Sequence, residues 1–88
     1  MFERIFEEEF LKDAGKASKK DKILALEIRK KISQIVSCDE LSIEHYKNLR
    51  GQLKEYKRVH VGSFVILFRV RGSTIYFERF KHHDEAYE

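Results

Sequence analysis

Hydrophobic and polar positions divide the second half of this chain into three strand-forming runs, and a Gly-Ser pair follows each of the first two. A two-residue loop with glycine first is typical of a type II′ hairpin, because glycine adopts a positive φ without a steric penalty. The pattern therefore predicts an antiparallel meander of three strands. The strands are residues 56–61, 64–70 and 74–80, and the turns are Gly62-Ser63 and Gly72-Ser73.

The two turns also predict the strand register, because side chains alternate between the faces of a sheet from each turn onward. Counting from the turns predicts the pairs Val61–Phe64, His60–Val65, Arg58–Leu67, Arg71–Thr74, Arg69–Tyr76, Leu67–Glu78 and Val65–Phe80. One face is then apolar and suits a core: Val59, Val61, Phe64, Ile66, Phe68, Val70, Ile75 and Phe77. The other face mixes charged, imidazole and aromatic groups: Tyr56, Arg58, His60, Val65, Leu67, Arg69, Tyr76, Glu78, Phe80 and His82.

The first half of the chain predicts helices. Residues 18–37 carry an apolar stripe at helical spacing, with Ser18 as the predicted N-cap. Gly15 is expected to separate this helix from residues 8–17, so that the two form a helical hairpin. The members of the stripe are Leu24, Ile28, Ile32 and Ile35.

Two shorter segments complete the pattern. Residues 39–50 predict a short helix or helical turn that begins at Asp39 and ends at Arg50-Gly51. The segment from Phe2 to Phe6 suits either a helix or a strand.

Length and composition limit the class of protein. The 88 residues suffice for one domain, which we predict to span residues 1–88. No apolar run approaches the ~18 residues that a membrane span needs, and no leader of signal-peptide form is present. Cys38 is the single cysteine, which excludes an internal disulfide and favours the cytoplasm. Residues 45–88 carry nine Lys or Arg against five Asp or Glu, which fits either a solvated basic surface or an anion-binding one.

The mixed face carries the residue types that metal-independent RNA cleavage needs. Such cleavage requires a base for the 2′-hydroxyl, an acid for the leaving 5′-oxygen and cations around the phosphate. Simpler roles are open as well: His60 as a passive side chain, and Glu78 as the ion-pair partner of Arg69. His82 and His83 are poor candidates for one metal site, because adjacent residues on an extended chain point in opposite directions. We expect no metal and no cofactor.

Two blocks of the sequence resemble the RelE/ParE family of bacterial and archaeal toxins. The first is Asn48-Leu49-Arg50-Gly51 with residues 56–64, which is similar to the family pattern LxG … W-R-x-R-x-G-x-Y-R. The second is residues 81–87, which is similar to its closing H-R-x-x-x-Y. The resemblance makes Phe2 to Phe6 a first strand. It implies an α+β fold in which a twisted antiparallel sheet, the meander plus that strand, packs on the helical hairpin.

The resemblance implies a toxin that cleaves mRNA in the ribosomal A site and is held inactive by a RelB-like antitoxin. It implies catalytic roles for Arg58, His60, His82, His83 and Tyr87. It implies RNA contacts by Arg50, Lys54, Lys57, Arg69 and Lys81. Val65 departs from the family, which has a catalytic arginine there. Arg69 or His82, on the same predicted face, could supply the missing charge.

Other functions of the family stay open from sequence. Members that resemble ParE poison gyrase and need neither an acid nor a base, and an inert member would only bind its antitoxin. The histidine and tyrosine content of the mixed face favours the endoribonuclease. In each case we expect the antitoxin to cover the basic half of the chain with an acidic or amphipathic helix.

Overall fold

The computed structural model describes residues 1–84, in which two helices pack on a four-stranded sheet. Strands β1 to β4 span Glu3–Phe6, Lys57–Val61, Phe64–Arg71 and Thr74–His82, and helices α1 and α2 span Glu8–Ser18 and Lys22–Val36. Short 3₁₀ helices at Ser42–His45 and Gly51–Leu53 lie between α2 and β2. None of the helices in this part of the chain is long and apolar enough to cross a membrane.

The sheet has the strand order β1-β4-β3-β2. The antiparallel meander of β2, β3 and β4 is confirmed, and so is the N-terminal strand. Strand β1 pairs with β4 in parallel, so the sheet is mixed and not antiparallel throughout. Gly62 and Gly72 have φ values of 59° and 58°, and no other residue type has a positive φ between residues 1 and 84. Positive φ at only the first loop residue is what a type II′ turn requires.

The helical hairpin is confirmed, but its joint lies further along the chain than predicted. Asp21 caps α2, since its Oδ1 accepts a hydrogen bond from the Leu24 backbone N–H at 3.0 Å. The prediction of Ser18 as this cap is wrong, because Ser18 ends α1 and its hydroxyl donates to the Ala14 carbonyl at 2.7 Å. Gly15 lies within α1 and does not break it. A glycine in a helix costs only about 1 kcal/mol relative to alanine, which the burial of Phe10 and Ala14 on the same helix offsets.

The core lies between the helices and one face of the sheet. The predicted apolar stripe of α2 is buried there, together with Phe10 and Ala14 of α1. The Phe6 ring packs on Phe77 with ring centroids 5.2 Å apart, and Phe10 packs on Phe77 at 5.7 Å. Three elements, β1, α1 and β4, are thus joined through one group of rings.

The segment between α2 and β2 begins with a turn held by Asp39, as predicted. Its Oδ1 accepts backbone hydrogen bonds from Leu41 at 3.0 Å and from Ser42 at 2.7 Å. The hydrogen bonds from Ser42 hold the pKa of Asp39 below its usual value. Ile43 anchors the turn in the core, whereas Leu41 is exposed.

A bulge in β4 changes the register that the turns predict. The count holds from Arg71–Thr74 to Phe68–Phe77, but Leu67 then pairs with Arg79, so that Glu78 is an extra residue. The predicted pairs Leu67–Glu78 and Val65–Phe80 are therefore wrong.

The cause of the bulge is the core. Phe77 and Phe80 are three residues apart and only 0% and 2% exposed, and both can face the helices only if one residue between them bulges. From Arg79 onward, every side chain of β4 lies on the sheet face opposite to the one that the turns predict.

Candidate active site

Strand β2 places Arg58 and His60 on the sheet face that points away from the core. Arg58 pairs with Leu67 and His60 with Val65, as the turn at Gly62 predicts. Residues two apart on a strand share a face, so these four side chains lie together. We call the surface formed by Arg58, His60, Val65, Leu67, Arg79 and Lys81 the site face.

The bulge in β4 brings two further cations onto the site face. Arg79 pairs with Leu67, and Lys81 pairs with Val65. The site face therefore has two rows across three strands: Arg58–Leu67–Arg79 and His60–Val65–Lys81. Neighbouring strands are about 4.8 Å apart. The outer members of each row are thus close enough for long side chains to converge on one anion above the apolar middle.

An apolar floor closes the middle of the site face. Leu49, Val65 and Leu67 are buried in one cluster, on which Tyr56 packs. Val65 is 0% exposed. The position where the family has an arginine is therefore filled by a side chain that contributes only to this floor.

A cleft of about 430 Å³ opens beside Arg58. It is held by two backbone hydrogen bonds, from Leu49 to the Tyr56 carbonyl at 2.9 Å and from Arg58 to the Lys47 carbonyl at 3.2 Å. Arg50, which is a predicted RNA contact, lines this cleft together with Arg58. The lining residues are Lys47, Asn48, Leu49, Arg50, Leu53 and Arg58.

Two imidazoles lie together at the other end of the site face. The rings of His60 and His83 stack with centroids 5.3 Å apart and planes inclined by 28°. The backbone N–H of His83 donates to the Ser63 carbonyl at 2.8 Å, which fixes this end of the chain to the β2–β3 turn. An imidazole can accept or donate a proton near neutral pH, so a pair of them can do both.

His82 lies on the opposite side of the sheet from this pair. Its ring meets the edge of Phe64 at 5.5 Å, on the side of the sheet that faces α1, and its Nδ1 lies 3.7 Å from an Asp84 carboxylate oxygen. The predicted placement of His82 and Phe80 with Arg58 and His60 is wrong, because the bulge reverses the faces of β4. His83 and Lys81 take that place.

Lys57 is not part of the site face either. Its side chain points toward the core side of β2 and is 5% exposed. The ammonium donates to the Tyr46 carbonyl at 3.1 Å, to Asn48 Oδ1 at 2.9 Å and to Glu44 Oε2 at 3.4 Å. This lysine ties the segment before β2 to the sheet, and its buried position contradicts the predicted RNA contact.

Arg69 is paired with carboxylates, and its predicted ion pair with Glu78 is confirmed. Its Nε pairs with Glu78 Oε2, and its Nη1 lies 3.9 Å from Glu55 Oε1. Its guanidinium lies over the Tyr76 ring, 5.3 Å from the centroid. Neither Arg69 nor His82 can replace a charge at Val65, because Arg69 is neutralised and His82 lies on the other face.

Two predicted site residues, Lys54 and Tyr87, lie outside the strands that form the site face. Lys54 is exposed in the segment before β2, where its carbonyl accepts a hydrogen bond from Asn48 Nδ2 at 2.8 Å. Tyr87 lies outside the described residues 1–84.

Sequence reasoning missed Arg79 and Lys47. The signal for Arg79 was present, because the three-residue spacing of Phe77 and Phe80 conflicts with a regular strand and indicates a bulge. Lys47 had no comparable signal, since it reaches the cleft only through the path of an irregular segment.

The chemistry available on the site face is proton transfer beside several positive charges. Among residues 1–84, no three His, Cys, Asp or Glu side chains form a group that could hold a metal ion. Arginine at position 58 can make two parallel hydrogen bonds to a phosphate, and lysine at position 81 can add a point charge.

Comparisons with known proteins agree with the α+β fold. A model of the ParE toxin family of the type II toxin-antitoxin system parDE matches residues 4–87. A Methanocaldococcus jannaschii protein, provisionally named toxin RelE4, is 42% identical over 76 residues, which cover 83% of this chain and 77% of that protein.

Several solved structures of toxins share the fold of this chain. The YoeB/ParE toxin from Agrobacterium tumefaciens matches with a TM-score of 0.74 at 13% identity, over 93% of this chain and 99% of that one. YafQ in the Escherichia coli DinJ-YafQ complex matches with a TM-score of 0.67 at 18% identity, over 100% of both chains. At such identities these structures confirm the α+β fold alone.

Proposed function

Because the chain belongs to the ParE toxin family of type II toxin-antitoxin systems, within the RelE/ParE superfamily, we propose that it is an endoribonuclease of the RelE branch. It cleaves mRNA in the ribosomal A site without a metal ion, and a cognate RelB-like antitoxin holds it inactive. This activity places the protein in the cytoplasm, where ribosomes translate.

The observation that carries the proposal is the imidazole pair beside cations on one face. His60 and His83 stack at 5.3 Å, and His60 shares its row with Lys81. A toxin that only grips a protein such as gyrase needs no proton donor or acceptor, whereas RNA cleavage needs both. The arrangement therefore supports catalysis better than gyrase binding.

In the proposed reaction the 2′-oxygen of a nucleotide attacks the adjacent phosphorus. One imidazole of the His60–His83 pair takes the 2′-hydroxyl proton as the new P–O bond forms. A protonated group, the second imidazole or Tyr87, gives a proton to the 5′-oxygen as the P–O5′ bond breaks. The products are a 2′,3′-cyclic phosphate and a 5′-hydroxyl end.

Arg58 and Lys81 stabilise the charge that gathers on the phosphate. Arg58 binds two non-bridging oxygens in parallel, and Lys81 approaches from the opposite strand. Lys81 pairs directly with Val65. It supplies from β4 the charge that the family's arginine supplies from β3.

The antitoxin inhibits by covering the same face. A cationic surface with an apolar floor suits an amphipathic helix that carries carboxylates on its edge. The toxin-antitoxin complex of the similar fold, DinJ-YafQ, is a precedent for such a partner. We expect association to slow as salt rises, because exposed charges are screened over about 8 Å at physiological ionic strength.

Growth arrest tests the proposal in cells. Arg58→Ala and Tyr87→Phe are each expected to relieve arrest of translation, whereas Arg29→Ala, which removes the same charge from the exposed side of α2, leaves it intact. Full toxicity in both site variants would overturn the proposal. Loss of supercoiling before translation stops would show a gyrase poison instead.

A further inference from the structure

We propose that the Arg69–Glu78 ion pair selects Glu78 as the bulged residue of β4 and thereby positions Arg79 as a further phosphate-binding group of the site face. This inference rests on the proposed function, since it assigns Arg79 to the same RNA. It also makes Glu78 a positioning residue and gives it no part in proton transfer.

The bulged residue is held at both of its polar ends. Glu78 has no partner on β3. Its carboxylate meets Arg69 Nε, and the two side chains are only 13% and 21% exposed. Its carbonyl accepts a hydrogen bond from Arg79 Nη1 at 3.1 Å. Because the carboxylate and the carbonyl of the bulged residue both have cationic partners, the bulge is a specific structural feature of the strand.

Arg69 connects the bulge to its surroundings. It lies on β3, it stacks over Tyr76 of β4, and it reaches Glu55 in the segment before β2. These contacts join three parts of the chain around one guanidinium. Since two carboxylates compensate its charge, Arg69 serves the structure and not the RNA.

The core requires one extra residue between Phe77 and Phe80 but does not determine which residue it is. Phe77 and Phe80 are both buried, and one extra residue at either position 78 or position 79 would place both rings on the helix side. If Arg79 were extra, Glu78 would pair with Leu67 and put a carboxylate in the row with Arg58, where it would repel phosphate. With Glu78 extra, that place belongs to Arg79.

Binding of a short single-stranded DNA, which lacks the 2′-hydroxyl and cannot be cleaved, tests the inference apart from the proposed reaction. We expect Glu78→Gln and Arg79→Ala each to weaken binding roughly three- to tenfold, the usual effect of losing one hydrogen-bonded contact. The double variant should bind no more weakly than either single variant, because both changes remove the same contact. Glu55→Gln, which removes only the outer carboxylate of Arg69, is the matched control and should bind as the parent does.

Two measurements separate positioning from other roles. In NMR spectra, backbone contacts between Leu67 and Arg79 should weaken in Glu78→Gln and return in the charge-swapped Arg69→Glu/Glu78→Arg variant. Additive losses in the double variant, unchanged Leu67–Arg79 contacts in Glu78→Gln, or no DNA binding by the parent would each overturn the inference. A change in the pH profile of cleavage with those contacts intact would make Glu78 a proton-transfer group. If the parent binds DNA but cleaves no mRNA, only the proposed function fails.

Discussion

Val65 has no exposed surface and lies between His60 and Lys81 in one row across the sheet. A long charged side chain at this position would have to leave an apolar floor shared with Leu49 and Leu67. The middle strand therefore contributes the floor, and the two outer strands of the meander contribute the charges. This division explains how a chain with valine at position 65 still has several cations on one face of the sheet.

Phe80 provides a residue-scale test of the bulge. It is 2% exposed and packs between Phe64 and Phe10, with ring centroids at 4.9 Å and 6.1 Å. We expect Phe80→Ala to lower the free energy of unfolding by about 3–5 kcal/mol, the usual loss for a buried phenylalanine. Urea denaturation measures it.

The control for Phe80→Ala is Leu11→Ala, since Leu11 is 56% exposed on α1. That change should cost no more than about 0.5 kcal/mol, as surface substitutions usually do. An equally small loss for Phe80→Ala would contradict the bulge, because Phe80 would then lie on the outer face.

Among the elements of the fold, the hairpin turns determined how much of the strand pairing could be predicted from the sequence. A type II′ loop sets the register of its own hairpin, so β2 and β3 were paired correctly along their whole length. The count along β4 failed after Phe77, since it assumed a regular strand, whereas the three-residue spacing of Phe77 and Phe80 requires a bulge. For that reason alone, His82 was predicted on the face of His60, where the structure has Lys81 and His83 instead.

The start of α2 gives a prediction at the element scale. Asp21→Ala should cost about 1 kcal/mol, because Asp21 accepts the hydrogen bond of the Leu24 N–H. Asp21→Asn should retain most of the stability. Ser18→Ala is the comparison, since its hydroxyl bonds only within α1. Thermal unfolding of the three variants would contradict the assigned cap if Ser18→Ala were the most destabilised.

At the scale of the whole molecule, the direction of β1 could not be read from any turn. The helical hairpin and the other two strands lie between β1 and β4 in the chain, so no short loop dictates how they pair. The division of charge was more informative. The basic half of the sequence contains the meander, and its cations Arg58, Arg79 and Lys81 lie on the sheet face opposite the helices.

We propose that the site face cleaves mRNA by proton transfer through the His60–His83 pair. Primer extension on mRNA, with and without purified ribosomes, would detect this cleavage. We expect cuts within the A-site codon only when ribosomes are present, with 5′-hydroxyl ends on the downstream fragments. His60→Ala should slow cleavage by about 10²- to 10⁴-fold, the range for loss of a general acid or base. His45→Ala, at an exposed histidine outside the site face, should not. Absence of cuts with the folded parent protein, or an unchanged rate in His60→Ala, would contradict the claim.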